Sequence, residues 1–369
     1  MFVQRITLFD FKNFHDIQLD LCEGINCFIG SNGAGKTNLL DSIYYLAFCK
    51  SFINSSDSQN VNHSKDCFAI HGKYSHKDVE HFSQVSCVFK KNKKKSFKFN
   101  GKEYDRLADH IGKIPLVMIS PFDHELIYGG SDTRRRFMDG VISQYNRVYL
   151  NLILDYQKVL FQRNILLKRF AEHSYFDLDS LQIWDEQLVQ LGEAIHECRK
   201  LFLDEFQEIF QYYFSKISSN KESVAISYKS DLNDSSLREA LSDSISKDRL
   251  LKYTSKGIHR DDLEFYISDY PVKKFGSQGQ QKSFVVAIKL AQYELLKRIK
   301  GVKPILLLDD IFDKLDDLRV EQLINLVGKE TFGQVFLTDT NIDRVKRLFE
   351  QTSFDHLLFH VDNAEISKI

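Results

Sequence analysis

The sequence of 369 residues has little proline and little cysteine, and it contains no long uncharged hydrophobic run. Four prolines beside 43% hydrophobic residues exclude a proline-rich, collagen-like or disordered chain. The six cysteines form no C-x-x-C pair and stand at no spacing typical of Cys/His metal ligands, which removes the case for structural zinc or a disulfide framework. We therefore expect a folded chain with reduced thiols.

Membrane and targeting signals are also lacking. No stretch of eighteen apolar residues without a charge occurs, and the first residues carry charges every few positions. The sequence thus predicts a cytoplasmic protein with no signal peptide and no membrane partner. The formal net charge is only −1, so any attraction to nucleic acid must come from local patches of charge.

The apolar pattern predicts three segments. Short strands fill residues 1–125, with one strong helix from Gly35, and long amphipathic helices fill most of residues 126–249, which end in a polar stretch from residue 220. Strands and helices alternate again over residues 250–369, as is typical of a parallel sheet covered by helices. We predict an α/β domain, formed by the first and third segments and interrupted by a short helical arm.

A glycine-rich loop fits the pattern G-x-x-x-x-G-K-[ST] between an apolar strand ending at Ile29 and a helix. Its glycines let the backbone wrap a phosphate, and Lys36 adds a charge at the β and γ phosphates. Thr37 adds a hydroxyl ligand for Mg²⁺. The predicted ATP-binding residues are Gly30, Ser31, Asn32, Gly33, Ala34, Gly35, Lys36, Thr37 and Asn38.

Two carboxylates follow the apolar run Ile305–Leu308, at the end of a strand where open α/β sheets bind their ligands. We predict that Asp309 holds Mg²⁺ together with Thr37, and that Asp310 orients or deprotonates the attacking water. Asp310 and Lys36 are therefore the predicted catalytic residues. The alternative is that the aspartate pair caps a helix. It is less favoured because the glycine-rich loop with Lys36 stands upstream in the same sequence.

A second glycine-containing motif directly precedes a helix predicted to end at Lys300. A hydroxyl and a glycine at a helix N-terminus form an anion site, but this helix does not follow Lys36, so it should serve a different nucleotide. The motif resembles the signature sequence of ABC-type ATPases, which covers the γ-phosphate held by a partner subunit. The resemblance implies an ATP-sandwiched homodimer with Asp316 in its D-loop, and signature residues Ser277, Gln278, Gly279, Gln280 and Gln281.

Further strings resemble the RecF family in particular: LFDFKNF at 8–14, RRRFMD at 134–139 and GIHRDD at 257–262. With the signature they span nearly the whole chain. The resemblance implies an SMC-like, ABC-type P-loop ATPase head, residues 1–125 and 250–369, with an inserted helical arm lobe, residues 126–249. It also implies ATP-dependent dimerisation, binding to gapped DNA at junctions of single and double strands, and loading of RecA with RecO and RecR in the SOS response.

Three positions depart from the general ABC pattern. No histidine occurs near Thr338, no glutamine follows the strand that ends before Pro121, and the second acid is Asp310 where glutamate is usual. Each change leaves nucleotide binding intact and slows the positioning of water. We therefore expect a slow ATPase that acts as a switch and responds to DNA.

Two other interpretations share these motifs. An ATP-binding subunit of an ABC transporter would carry all three motifs, but that class inserts a shorter helical segment and needs a membrane partner. An SMC-like clamp that tethers DNA overlaps with the proposed mechanism and differs in having a long coiled coil, for which this arm is too short.

Basic residues provide the candidate DNA contacts. A lysine run around a predicted Asn100-Gly101 hairpin turn either contacts phosphates or keeps a sheet edge soluble. The arginines at 134–136 face either phosphates or the acids of a neighbouring helix. His259 and Arg260 either contact nucleotide or DNA, or form ion pairs with the two aspartates that follow. The candidates are Lys91, Lys93, Lys94, Lys95, Arg134, Arg135 and Arg260.

Overall fold

The chain forms two compact units. The computed structural model describes residues 1–76, 79–218, 222–311, 332–350 and 355–369. Unit 1 comprises residues 1–123, 216–218 and 282–369, and unit 2 comprises residues 124–215 and 219–281.

The strands and helices of the described residues are as follows. The strands are β1 (Phe2–Phe11), β2 (Phe14–Asp20), β3 (Ile25–Ile29), β4 (Cys67–His76), β5 (Val79–Lys90), β6 (Ser96–Phe99), β7 (Lys102–Glu103), β8 (Leu116–Ile119), β9 (Val224–Lys229), β10 (Asp262–Ile267), β11 (Tyr270–Pro271), β12 (Ile305–Leu308), β13 (Val335–Asp339), β14 (His356–Asp362) and β15 (Glu365–Lys368). The helices are α1 (Lys36–Phe48), α2 (Glu125–Tyr128), α3 (Ser131–Tyr145), α4 (Arg147–Glu172), α5 (Leu178–Ser218), α6 (Leu237–Leu251), α7 (Val272–Phe275), α8 (Gln278–Lys300) and α9 (Ile342–Glu350).

The predicted parallel sheet lies in unit 1, with strand order β15-β14-β3-β13-β12-β8. Its strands pair in parallel except β15, which is antiparallel to β14. Every residue of β3, β8, β12 and β13 is buried, as expected for a parallel sheet whose two faces are both covered. The prediction of an α/β domain is confirmed. The carboxyl ends of β3, β13 and β12 lie side by side and carry the candidate site.

A second sheet of unit 1 is antiparallel, with strand order β2-β1-β4-β5-β6-β7. Residues of β1, β4 and β5 share one hydrophobic core with helix α1, so this sheet fixes the helix that follows the glycine-rich loop. The predicted hairpin turn joins β6 and β7 at Asn100 and Gly101, whose φ angles of 50° and 79° are those of a tight hairpin turn.

The predicted long helices are α4, with 26 residues, and α5, with 41 residues, and they belong to unit 2 except for the last three residues of α5. Unit 2 also contains a three-stranded antiparallel sheet in the order β11-β10-β9, which the sequence did not predict. β9 lies in the polar stretch from residue 220. Only Val224 of this strand is buried, so it lacks the alternation that marks a strand.

The second domain boundary differs from the prediction. Residues 250–281 were assigned to the ATPase head, but they belong to unit 2. β10 pairs with β9 along six residues, and Arg134 on α3 forms an ion pair with Asp262 at the start of β10. The first boundary, between residues 123 and 124, lies two residues before the predicted one.

Within the part of the chain that the structure describes, no helix combines the length and the apolar character needed to cross a bilayer.

Candidate nucleotide-binding site

The glycine-rich loop joins β3 to α1, as the sequence predicted. Gly33 and Gly35 have φ angles of 84° and 115°, a region that favours glycine. A Cβ at Gly35 would lie 2.3 Å from Nδ2 of Asn13, and a Cβ at Gly30 would lie 2.1 Å from the carbonyl oxygen of Val361. The loop therefore needs glycine at position 33 for its backbone conformation, at position 30 for its close packing and at position 35 for both.

Lys36 is the first residue of α1 and is almost fully buried. Its Nζ donates to the carbonyl oxygens of Gly30, at 2.8 Å, and Ser31, at 3.1 Å. The ammonium group is thus folded into the loop whose backbone curves around it. A buried point charge in this position would attract the phosphates of a nucleotide.

Asp309 lies beside Thr37, although the two residues are 272 positions apart in the sequence. The Thr37 hydroxyl donates to Oδ1 of Asp309 at 3.0 Å, and the Thr338 hydroxyl lies 2.9 Å from the same oxygen. Burial raises the pKa of Asp309 to about 6, with the neighbouring Asp310 adding to the rise and the two threonine hydroxyls and Lys36 opposing it. The predicted glycine-loop and strand-end motifs therefore form one site.

Asp310 follows at the end of β12 with a φ of 44°, a conformation that non-glycine residues adopt rarely. Its backbone N–H donates to the Thr338 hydroxyl at 2.9 Å, and its Oδ1 lies 3.3 Å from the same hydroxyl. Thr338 thus contacts both aspartates. In the sequence this position stands out only because a histidine is missing there, and its contact with both acids follows from the parallel pairing of β12 with β13.

Asn13 is a second residue whose contribution the sequence analysis missed. It lies in the turn between β1 and β2, and its Nδ2 donates to the carbonyl oxygen of Ala34 at 3.3 Å. Its Oδ1 accepts from Nδ2 of Asn38 at 2.7 Å. One amide therefore links both sides of the loop. It lies within the string LFDFKNF, which in the sequence shows only a resemblance to a family.

The oxygens at this site suit a magnesium ion. A threonine hydroxyl and a carboxylate, 3.0 Å apart, are the hard oxygen ligands that Mg²⁺ prefers, and the burial that disfavours an ionised Asp309 would be offset by a cation. Thr37 and Asp309 are therefore suitable ligands for this ion, and their role as its ligands stays a prediction.

The signature motif stands at the N-terminus of α8, which begins at Gln278, so the helix includes the motif residues after Ser277 and does not start behind them as predicted. Ser277 and Gln280 cap each other: the Gln280 N–H donates to Oγ of Ser277 at 3.2 Å, and the Ser277 N–H donates to Oε1 of Gln280 at 2.7 Å. Nε2 of Gln280 also donates to Glu222. Ser277 is exposed, so its hydroxyl is accessible to another molecule.

Gln281 has an internal role. Its side-chain oxygen accepts a hydrogen bond from the hydroxyl of Tyr128, and its Nε2 donates to the carbonyl oxygen of Val272 at 3.2 Å. Gln281 is buried and holds α7 and α2 against the start of α8. The predicted D-loop residue, Asp316, lies outside the described residues.

The lysine run divides into buried and exposed side chains. Nζ of Lys95 contacts the Tyr45 hydroxyl at 2.9 Å, the carbonyl oxygen of Cys49 at 2.7 Å and a carboxylate oxygen of Asp57 at 2.8 Å, and this side chain is only 12% exposed. Lys95 therefore stabilises the fold and does not present its charge to DNA, contrary to the prediction. Lys91 donates to the carbonyl oxygen of residue 65 at 2.8 Å. Lys93 and Lys94 are exposed.

The arginine triplet mostly binds acids and carbonyl groups of unit 2. Nε and Nη2 of Arg134 donate to both carboxylate oxygens of Asp262 at 2.6 and 2.9 Å, and Nη1 donates to the carbonyl oxygens of residues 126 and 129. Arg135 donates to the backbone carbonyl of Asp261 at 2.5 Å. Of the two alternatives for Arg134, the structure favours an internal ion pair over a phosphate contact.

His259 and Arg260 differ from each other. His259 is bound by the Tyr156 hydroxyl, at 2.9 Å, and by the carbonyl oxygen of Thr254, at 3.1 Å, and burial lowers its pKa to about 4. It is therefore neutral near pH 7, and the proposed charged contact is wrong for this residue. Arg260 is exposed and pairs with neither Asp261 nor Asp262, whose partners are other arginines.

Comparison with known proteins gives one family. Residues 2–354 match the family model of the RecF/RecN/SMC N terminal domain. The chain is 50% identical to the DNA replication and repair protein RecF of Flavobacterium johnsoniae over 361 residues, which cover 98% of this chain and 100% of the relative. It is 46% identical to RecF of Bacteroides fragilis over 369 residues, which cover 100% of this chain and 99% of the relative.

Solved structures agree with this comparison. The recombination mediator protein RecF with ATP, described as part of the RecFOR pathway, has a TM-score of 0.89 at 29% identity and matches 100% of this chain and 97% of that chain. An Smc head domain from Pyrococcus furiosus has a TM-score of 0.59 at 15% identity over 100% and 96% of the two chains, which shows the fold alone. The chain therefore belongs to the RecF family and has its SMC-like, ABC-type α/β ATPase head.

Proposed function

We propose that this chain acts in DNA replication and repair as an ATP-controlled switch that binds DNA as a homodimer. The observation that carries the proposal is the convergence of Lys36, Thr37, Asp309 and Asp310 at one edge of the parallel sheet. Full-length RecF relatives and RecF structures with ATP support the same conclusion. Neither a transporter subunit nor a separate DNA-tethering clamp is favoured by these relatives.

The chemistry begins with the phosphates of ATP. Backbone N–H groups of the loop and the N-terminus of α1 bind the phosphate oxygens, and Lys36 neutralises charge at the β and γ phosphates. Asn13 keeps the loop in its curved conformation through Ala34 and Asn38. When bound, Mg²⁺ would supply charge neutralisation between the phosphates, held by Thr37 and Asp309.

Asp310 is the proposed general base, or the group that orients the attacking water. Its carboxylate is held near the hydroxyl of Thr338, which also contacts Asp309. A carboxylate that shares a hydroxyl with a second acid is restricted in its position, and its chain is one methylene shorter than glutamate. We therefore expect slow hydrolysis, suited to a switch.

The exposed Ser277 at the start of α8 would contact the γ-phosphate bound by a second copy of the chain. Gln280 would take part only after exchanging its hydrogen bond to Glu222 for one to the partner's nucleotide. The relatives are DNA replication and repair proteins of the RecF type, and the RecF structure with ATP is described as part of the RecFOR pathway. For this chain we accordingly propose gapped DNA, RecO and RecR as partners.

The test measures DNA affinity with and without nucleotide. Fluorescence anisotropy of a labelled gapped duplex should show that ATP and Mg²⁺ raise the DNA affinity at least about tenfold, because dimerisation doubles the phosphate contacts. Lys36→Ala should abolish this gain, whereas Lys158→Ala, at an exposed lysine of α4 outside the lysine run, should retain it. Equal DNA affinity with and without ATP would contradict the switch.

A further inference from the structure

A polar cleft in unit 2 contains none of the predicted nucleotide-site residues. It forms where the end of β9, helix α6 and the segment 252–260 meet, and it encloses about 720 Å³. Its lining includes four basic side chains and two acidic ones. The residues that set its charge include Asp231, Lys247, Lys256 and Arg260, and Tyr253 adds an aromatic ring.

Two cations face this cleft without a carboxylate partner. Among the described residues, no carboxylate lies within ion-pair distance of Lys247 or Arg260. The acids next to Arg260 in the sequence are already paired, Asp261 with Arg199 and Asp262 with Arg134. The cleft therefore has local positive charge in a chain whose net charge is close to zero.

The acids of the cleft reduce this charge only in part. Asp231 forms an ion pair with Lys256 at 2.7 Å, so these two charges compensate each other. Asp234 is exposed at the rim and is the remaining acid of the lining. Attraction for an anion thus comes chiefly from the side of α6 and from Arg260.

An aromatic ring lies beside the guanidinium group of Arg260, which has no carboxylate partner among the described residues. The Cζ of Arg260 is 5.1 Å from the centroid of the Tyr253 ring, and Nη2 of Arg260 donates to the carbonyl oxygen of Thr254 at 3.3 Å. Tyr253 is 40% exposed. A planar cation next to an exposed ring forms a surface on which a nucleic acid base stacks while the guanidinium contacts its phosphate.

Buried contacts fix the segment that carries these two residues. The carboxylate of Asp248 accepts from the Ser255 N–H at 2.9 Å, from the Ser255 hydroxyl at 2.6 Å and from Arg163 at 2.6 Å. Thr254 donates through its N–H and its hydroxyl to Oδ1 of Asn164, both at 2.7 Å. The ring and the guanidinium are therefore held in place before a ligand binds, which lowers the entropic cost of binding.

We propose that this cleft binds a single-stranded nucleic acid segment, with a base on Tyr253 and phosphates on Arg260 and Lys247. Single strands fit better than duplexes because bases within a duplex are stacked on each other and do not offer a free face. An acidic peptide would use the cations but not the ring. The inference rests on the proposed DNA binding and adds the surface and the strand form.

The test uses the full chain and a fluorescein-labelled oligothymidine in anisotropy titrations at several salt concentrations. Arg260→Ala should weaken binding about tenfold and make the slope of log affinity against log salt shallower by about 0.7. Tyr253→Leu should weaken binding by about fivefold or more without changing that slope, and Tyr253→Phe should bind like the wild type, because stacking needs the ring and not the hydroxyl.

Lys158→Ala provides the matched control, since Lys158 is an exposed residue of α4 paired with Asp155. Circular dichroism and thermal melting should show that each variant is folded. The cleft proposal would be overturned if Arg260→Ala and Tyr253→Leu both bound oligothymidine with wild-type affinity. It would also be overturned if polyglutamate competed for the labelled oligonucleotide as well as unlabelled oligothymidine does. Failure of the function proposed above would look different, because the wild type itself would show no ATP-dependent DNA binding.

Discussion

Two groups of buried charges, one in each unit, are used in opposite ways. In unit 1, Lys36 and Asp309 are buried at the carboxyl edge of the parallel sheet, where carbonyl and hydroxyl oxygens bind them and, among the described residues, the two form no ion pair with each other. In unit 2, Arg163 and Arg199 are buried and each forms ion pairs with two aspartates. Lys36 and Asp309 keep their charge available for a ligand, whereas the two arginines join helices, strands and loops, as the buried ion pair of Lys12 with Asp41 does in unit 1.

This difference teaches how basic residues in the sequence should be interpreted. The arginines at 134 and 135 and the lysine at 95 look like candidate phosphate contacts because sequence shows their charge and not their partners. Arg134 has a carboxylate partner and Lys95 has three oxygen partners. Arg260 differs because the neighbouring acids are bound elsewhere. Whether a basic side chain can bind a phosphate therefore depends on the residues that surround it in the folded chain.

The largest expected effect on folding is in unit 2. Arg199→Met leaves Asp139 and Asp261 without their shared cation, and the free energy of unfolding should fall by about 3–5 kcal/mol in urea titrations. The control is Arg136→Ala, whose exposed ion pair with Asp132 should contribute less than about 0.5 kcal/mol. Similar losses in both variants would show that the buried network is not the main source of stability in unit 2.

The corresponding change in unit 1 should affect binding more than folding. Lys36→Ala removes the point charge for the phosphates, and ATP affinity should fall at least about 100-fold in calorimetric titrations. Its unfolding free energy should change by less than that of Arg199→Met, since the contacts of Lys36 are hydrogen bonds to backbone carbonyls. Unchanged ATP affinity would remove Lys36 from the site.

Acid pH tests one histidine in each unit, the fully buried His110 of unit 1 and the partly buried His259 of unit 2. Burial lowers the pKa of both His110 and His259 to about 4, so the folded chain favours their neutral forms, while the unfolded chain binds protons near pH 6.5. The stability that they contribute is present above pH 6.5 and is lost as the pH falls toward 4. Between pH 7 and pH 5, each histidine should lower the free energy of unfolding by about 1–2 kcal/mol.

Urea midpoints measured at pH 7 and pH 5 provide the check. His110→Gln and His259→Gln should each show a smaller loss between the two pH values than the wild type, because glutamine does not titrate. The same loss in all three proteins would assign the acid sensitivity to other groups.

The smallest expected effect separates two neighbouring lysines. Lys95→Met removes three contacts and should lower the unfolding free energy by about 1–2 kcal/mol, whereas Lys94→Met should change it by less than about 0.5 kcal/mol. If the lysine run contacts DNA, the Lys94 variant should show the lower affinity for duplex DNA. A larger stability loss for Lys94 would contradict the assigned contacts.

The local parts of the fold and site were predictable from sequence. The glycine-rich loop between β3 and α1 and the acids after β12 are marked by contiguous residues, apolar runs and glycines whose φ angles other residues avoid. The parallel sheet followed from the alternation of strands and helices.

The parts that could not be predicted depend on distant residues. β9 buries only Val224 and is fixed by Gln207 of α5, which donates to the carbonyl oxygen of Val224 and accepts from the N–H of Ile226. Asn13 and Thr338 join the site through strand pairing and chain reversal, which spacing along the sequence does not show.

The central claim is that ATP joins two copies of the chain, and light scattering of the purified chain tests it most directly. The account predicts the mass of one chain without nucleotide and of two chains with ATP and Mg²⁺. It further predicts that Ser277→Arg, at the exposed start of α8, binds ATP yet keeps the mass of one chain. A wild-type chain that stays monomeric with ATP, or a Ser277→Arg variant that dimerises normally, would contradict the account.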